Sequence, residues 1–326
     1  MAAVGVHVPT GLCKGWNGCT GGPGLQAKAP SGPQRKAHGL ADNARMPEAA
    51  SDLSAPPFAA LRLLALETST DTLSVALGSG VPGAPLWQHT GPGGAHASAT
   101  LLPLVQTLLT QAGWTLQSLD AVVFGRGPGS FTGLRTACAV AQGLAYGAQS
   151  PSQPGGLPVL AVDTLLALAE TARQTWEQTR EPVPGVIVAL LDARMDELYV
   201  APYAHTAQGL SSLAPPRLCA PQDLGAYLAQ CLPADAGLAE GRCLLAGNVF
   251  AAYADRLAHV PGQRLQALPG ASALLQLAPG LLAGGAAVAA RDALPLYVRD
   301  KVAQTTAERD ALRLAAASAV PEVPTP

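Results

Sequence analysis

The pattern of apolar and polar positions along the 326-residue chain changes character near residue 61. Upstream, residues 1–57 are rich in Gly, Pro, Ala and Ser and follow neither a two-residue nor a 3.6-residue period. Such a composition cannot bury enough apolar surface to offset the entropy of ordering. This stretch is expected to be a disordered or misassigned N-terminal extension, dispensable for function, with Met46 as an internal candidate start. It has no continuous apolar core of the kind a secretory signal needs.

From Leu61 the pattern becomes regular. Two apolar runs, Leu61–Leu66 and Thr72–Leu77, flank a polar turn and predict a β-hairpin, with Ala84–Thr90 as a third strand. Leu101, Leu104, Val105, Leu108 and Ala112 recur at helical spacing and predict a helix over Ala97–Ala112. Pro103 suits that helix only in its first turn. A strand at Ala121–Gly125, a helix at Gly133–Gly147, a strand at Leu157–Val162 and a helix at Thr164–Thr175 follow. The order β-β-β-α-β-α-β-α predicts an α/β mixed sheet covered by helices.

A second unit begins near Pro184 with paired runs at Gly185–Ala193 and Glu197–His205. A strand at Cys243–Asn248 and helices at Val249–Ala258 and Ala271–Gly285 come next, and "LPLYVRDKVA" closes the folded part. The expected organisation is therefore an extension over 1–57, a first domain over 58–180, a smaller second domain over 181–303 and a flexible tail over 304–326. The sequence shows no obvious internal repeat.

Composition narrows this picture. Hydrophobic residues make up 48% and charged residues 13%, against roughly 25% charged in ordinary soluble domains. Much of the apolar share is Ala, and no run approaches the ~18 apolar residues of a spanning helix. A low-charge, Ala-rich surface points to a partner covering part of it. With a net charge of −2, no strongly basic stripe announces a nucleic-acid groove, and this chain alone is not expected to be the main electrostatic docking surface for a nucleic acid. Cys13, Cys19, Cys138, Cys219, Cys231 and Cys243 form no CxxC pair and read as idle or buried thiols of a reducing cytoplasm.

Two segments carry candidate chemistry. "LALETSTDTLSVAL" ends a strand on Glu67 and continues with small hydroxyl residues. It is either a turn whose amides address phosphate or a Ser/Thr-rich hairpin turn with local caps. "FGRGPGSFTGLRTACAVAQGLAYG" places Gly125, Gly127, Gly129 and Gly133 within nine residues, stiffened by Pro128, with Ser130 beside them and Thr132 as the expected helix cap. It can hold an anion at a helix N-terminus or mark a backbone crossing that only glycine permits. It has no Lys in the position of a phosphate-binding loop. A third segment, "DARMDE" over Asp192–Glu197, reads as a solvated hairpin turn or as a contact surface.

Together these blocks resemble the TsaB (YeaZ-like) family. Members carry DTST…SVAL, then GRGPGSFTGLR…AQGLA, then a DARM-E-Y segment. This chain has Glu67-Thr68-Ser69-Thr70, the block from Gly125 to Gly147, and "LLDARMDELYVAPY" at Leu190–Tyr203. Its "PLYVRDKVA" is similar to the family's ending, so the resemblance spans about 61–303. It implies a duplicated actin-like, RNase-H-like fold and a cytoplasmic, non-catalytic subunit. That subunit pairs with the catalytic paralogue TsaD, joined by the ATPase TsaE. TsaD transfers threonylcarbamoyl to the adenosine beside the anticodon of tRNAs reading codons that begin with A. The subunit itself needs no metal or other cofactor and meets tRNA only through the complex, and it can form a homodimer when alone. TsaD-like paralogues carry an HxxxH pair, which on one helix face can share a metal. Here the corresponding positions are Thr164 and Leu168. His96 has no partner histidine nearby and reads as structural or capping. Glu67 departs from the family's Asp by one CH₂, which weakens the rival reading of an actin-fold ATPase or small-molecule kinase. The missing histidines weaken that of a metallopeptidase.

The helix at Gly133–Gly147 predicts where a partner sits. Leu134, Ala137, Cys138, Ala141 and Leu144 form one apolar stripe suited to the core, while Ala139, Gly143 and Gly147 form a second at spacing four. A helix apolar nearly all round is buried on more than one side. Leu102 and Leu109 are expected to extend that second surface from the preceding helix, the two helices forming half of an intermolecular bundle.

Overall fold

The computed structural model describes residues 61–299, apart from 95, 96, 152 and 180. The expectations for residues 1–57, for Met46, Cys13, Cys19 and His96, and for the tail over 304–326 lie outside the described residues.

The first five strands are β1 (Leu63–Glu67), β2 (Thr72–Gly78), β3 (Leu86–Pro92), β4 (Ala121–Gly127) and β5 (Val159–Asp163), arranged in one sheet in the order β3-β2-β1-β4-β5. β1 pairs antiparallel with β2 and parallel with β4. β1 is buried on both faces, which is why it reads as a continuous apolar run rather than an alternation. Helices α1 (Ala97–Ala112) and α2 (Phe131–Gly147) cover one face, where Leu101, Val105, Ala137 and Ala141 meet Leu64, Leu66, Val122 and Phe124.

Helix α3 (Thr164–Glu177) leads into the second sheet, formed by β6 (Val186–Arg194), β7 (Glu197–Thr206), β8 (Gly209–Ser212), β10 (Leu244–Gly247) and β11 (Gln263–Gln266), with β9 (Arg217–Cys219) on β7. Its order is β11-β10-β6-β7-β8. An antiparallel hairpin with a third antiparallel strand on one side and two parallel strands on the other repeats the first sheet. The duplication is thus visible in topology although no sequence repeat announces it.

α3 buries Leu165, Leu168, Ala169 and Ala172 against the second sheet and Ala167 against the first. Helices α4 (Leu224–Cys231) and α5 (Ala254–Leu257) cover the second sheet's other face, through Leu224, Leu228 and Leu257. Helix α6 (Ala271–Ala283) lies within the 181–303 range yet packs on the first sheet, with Leu274 and Leu275 against Leu63 and Ala76. Its first amide, Ala271 N–H, is accepted by the Ser74 hydroxyl of β2 at 3.1 Å, which supplies the cap that Gly270 lacks.

Several elements differ from the sequence-based expectation. Pro103 sits at the seventh position of α1 rather than in its first turn. It faces solvent, so the Ala99 carbonyl left without a helix partner remains open to water. α2 begins at Phe131, two residues early, because Ser130 and not Thr132 is its cap: the Ser130 hydroxyl accepts the Gly133 amide. The helix expected over Val249–Ala258 is α-helical only at Ala254–Leu257. Tyr253, at φ −126°, leaves helical geometry and donates its hydroxyl to Asp192 Oδ1 at 2.7 Å.

Candidate functional site

The first two sequence blocks form a single structure. The turn after β1 lies directly on the Gly-rich segment after β4. The Ser130 amide donates to the Ser69 carbonyl at 2.7 Å, and the Thr68 hydroxyl donates to the Gly133 carbonyl at 2.7 Å. A β-carbon at Gly125 would collide with the Glu67 carboxylate, one at Gly129 would come within 2.5 Å of the Ser69 carbonyl, and one at Gly133 would overlap the Thr68 carbonyl. Gly127 has φ +117° and lies against the Leu296 carbonyl, a conformation and a contact that only glycine permits. The glycines therefore serve a backbone crossing. What faces them is a carboxyl group and three carbonyls, a poor setting for an anion.

Glu67 is fully buried. Its Oε1 accepts the Ser69 amide at 2.7 Å, while Oε2 has no partner. Burial pushes its pKa above the ordinary carboxylate value, opposed by hydrogen bonds from Ser69 and Thr68. A carboxyl with one oxygen unpartnered in an apolar interior favours its neutral form.

Across a cleft of about 300 Å³ from Ser69, Thr70 and Asp71 stands the turn of the third sequence block. Arg194, Met195 and Asp196 have φ of 61°, 54° and 60°. Left-handed geometry costs non-glycine residues roughly 1–2 kcal/mol apiece, so the neighbours must hold this turn. Asp192 Oδ1 accepts the Arg194 amide and the Tyr253 hydroxyl, and its own amide donates to Asn248 Oδ1. Burial, then Asp192, raise the Tyr253 phenol to about 12. Arg299 donates to the Ala193 and Arg194 carbonyls and to Glu197 Oε2 at 2.6 Å. An exposed ion pair from Arg194 to Asp71, 2.9 Å long, spans the cleft.

Thr164 and Leu168, expected to correspond to the HxxxH pair, both make structural contacts. The Thr164 hydroxyl accepts the Gly127 amide at 3.1 Å, and Leu168 is a core residue. Arg126 pairs with Asp163 at 2.5 Å beside them.

The expected partner surface separates into two parts. Ala139, Gly143 and Gly147 are exposed on α2, and a β-carbon at Gly143 or Gly147 would meet nothing within 4 Å. Leu102 is 50% exposed on α1 and Tyr146 66% exposed on α2. Leu109 does not belong with them. It is 5% exposed and packs in the first core. Lying four residues after Val105 and eight after Leu101, it falls on the core stripe rather than beside Leu102. The sequence reading also omitted Phe131, Arg135 and Tyr297. Arg135 lies 3.7 Å over the Phe131 ring, donates to the Tyr297 hydroxyl at 3.1 Å, and the two rings sit 5.2 Å apart. The signal was present, since Phe131 and Arg135 continue the spacing-four row Ala139, Gly143, Gly147.

Two lobes of one strand order, joined through α3 and separated by a cleft between equivalent hairpin turns, define a duplicated actin-like protein. A family model described as TsaD, tRNA N6-adenosine threonylcarbamoyltransferase, matches residues 91–306. The tRNA threonylcarbamoyladenosine biosynthesis protein TsaB of Escherichia coli strain K12 is 32% identical over 255 residues, which cover 74% of this chain and 96% of that protein. TsaB of Haemophilus influenzae is 40% identical over 142 residues, covering 43% of this chain and 52% of that protein. A solved structure, YeaZ from Pseudomonas aeruginosa, superposes with a TM-score of 0.60 at 36% identity, covering 73% of this chain and 99% of that one. The chain belongs to the TsaB (YeaZ) family, within the wider group that the TsaD model describes.

Proposed function

We propose that this chain acts in tRNA threonylcarbamoyladenosine formation as a non-catalytic subunit that pairs with the catalytic paralogue TsaD. Its relatives are named as biosynthesis proteins of that modified nucleoside. In this reading TsaE joins the pair as the ATPase, tRNA is met only through the assembly, and the chain works in the cytoplasm.

One observation carries the pairing. Adjacent helices α1 and α2 leave Leu102, Ala139, Gly143, Tyr146 and Gly147 exposed on their outer faces. Small residues at spacing four let another helix approach closely, and dispersion contacts then accumulate along it. A paralogue with a similar helix pair completes a four-helix packing, and a second copy of this chain does so less specifically.

Gly143→Leu tests the pairing. The new side chain points into open space, so the isolated chain is expected to fold and melt cooperatively. Co-purification with TsaD from the same genome is expected to be lost, and with it tRNA modification. Unchanged affinity for TsaD places the interface elsewhere.

A further inference from the structure

The C-terminal described segment touches both lobes at the cleft. At its start, the Ala293 carbonyl accepts from the Cys138 thiol at 3.4 Å and from Gln142 Nε2 at 2.9 Å, both on α2. The Leu296 amide then donates to the Arg126 carbonyl at 2.6 Å, and the Leu296 carbonyl fills the space that Gly127 leaves. Tyr297 packs on Phe131 and accepts from Arg135. All of these are first-lobe contacts. Two residues on, Arg299 reaches the second lobe and binds the left-handed turn through the Ala193 and Arg194 carbonyls, Met195 Sδ and Glu197.

We infer that Ala293–Arg299 is an inter-lobe strap, with Arg299 as its latch, that couples the α2 edge at Phe131 and Arg135 to the Asp192–Glu197 turn. The guanidinium suits a latch. Its planar set of donors satisfies several acceptors on one turn at once, which an ammonium cannot do in fixed geometry. The Arg299 side chain is only 12% exposed, so water screens its pair with Glu197 less than an open surface pair. The other bond across the cleft, Arg194 to Asp71, is open to solvent at both ends and contributes little. The latch is also incomplete: Arg299 Nε is buried without a partner. A buried donor left unmade lowers the free energy needed to open the contact. The strap therefore holds the lobes in one relation without welding them. A displacement of α2 at Phe131 reaches the turn through the three residues from Tyr297 to Arg299.

Coupling between two anchors is reciprocal, and this makes the strap testable from either end in the full-length chain. Amide hydrogen exchange is measured for Arg299→Ala and for Tyr297→Ala. Arg299→Ala, which removes the second-lobe anchor, is expected to speed exchange about tenfold in Leu134–Cys138 of the first lobe as well as in Ala193–Glu197. Tyr297→Ala, whose ring and hydroxyl contacts lie on Phe131 and Arg135, is expected to speed exchange in Ala193–Glu197. If each substitution loosens only its own side, the strap does not couple the lobes and the inference fails. Should Arg299→Ala lose its cooperative melt, Tyr297→Ala decides alone. The outcome is independent of whether the chain pairs with TsaD, because both measurements use the isolated protein.

Discussion

Glu67 is a buried carboxyl held inside its own turn. The carboxylate at the end of β1 bends back under its own turn to accept the Ser69 amide, and its second oxygen lies against Gly125 without a partner. The raised pKa fixes the sign of a pH effect. Between the ordinary value of 4.5 and the higher native one, the folded chain holds a proton that the unfolded chain has released. Stability from this group is therefore full below the ordinary value and falls as pH rises through that window. Glu67→Gln keeps the shape and removes the titration. Denaturant melts at pH 5 and pH 8 are expected to give a smaller pH difference for the variant than for the parent. An equal difference would remove Glu67 as its source. Glycine chemistry at this scale was legible only as a pair of alternatives. Four glycines in nine residues announce a close approach, but the sequence does not say to what. The answer, the backbone and carboxylate of a turn some 60 residues earlier, is a tertiary fact. Gly127→Ala is expected to destabilise by more than ~1 kcal/mol, since φ is +117° and the Leu296 carbonyl is in the way. Gly129→Ala has ordinary φ but the Ser69 carbonyl in its path, and is expected to show a similar loss in the same melts.

At the scale of elements, helices with a strong 3.6-residue period were readable, and so were strands with continuous apolar runs. α1, α3, β1, β2, β4, β6 and β7 follow from those patterns. β8, β9 and β11 do not, being three or four residues long, and β11 is a polar edge strand whose sequence, QRLQ, has no buried face to betray it. α4 is eight residues long, too short for its stripe of Leu224 and Leu228 to stand out. The exposure of the expected partner face was half legible. Spacing four picked out Ala139, Gly143 and Gly147, but the same arithmetic was not applied to Leu109, which shares the core row of Leu101 and Val105. The two leucines on α1 now separate core from surface. Leu109→Ala is expected to cost about 2–5 kcal/mol, as truncation of a buried leucine does. Leu102→Ala is expected to leave stability within about 0.5 kcal/mol while weakening association with the partner. Thermal melts and a pull-down on both variants check this. A destabilised Leu102→Ala, or an unaffected Leu109→Ala, would mean that the helix is rotated from the position described.

On the scale of the whole molecule, one topology used twice yields two lobes that expose different features. The first presents the exposed faces of α1 and α2. The second faces the cleft with a turn whose geometry is ill suited to close approach of a phosphate. Close approach of backbone to phosphate calls for glycine, and this turn instead carries Arg194, Met195 and Asp196 in left-handed conformations, locked by Asp192 and Arg299. The facing turn holds Glu67 fully buried beneath it, where a magnesium-bound phosphate would call for an exposed carboxylate. Thr164 and Leu168, where the resemblance leads one to expect the paralogue's imidazoles, are a hydroxyl that accepts the Gly127 amide and a leucine packed in the second sheet's core. Each of these residues is engaged in packing or hydrogen bonding within the chain, which supports the proposed non-catalytic role. The purified chain, dialysed and assayed alone, is therefore expected to retain no stoichiometric zinc or iron and to hydrolyse ATP negligibly. Restoring one feature is not expected to restore chemistry: Glu67→Asp leaves the second turn without glycine, and Thr164→His places an imidazole where the Gly127 amide needs an acceptor. Metal retained at one equivalent by the parent protein, or ATP turnover abolished by Glu67→Gln, would show that the cleft still performs the reaction its fold allows.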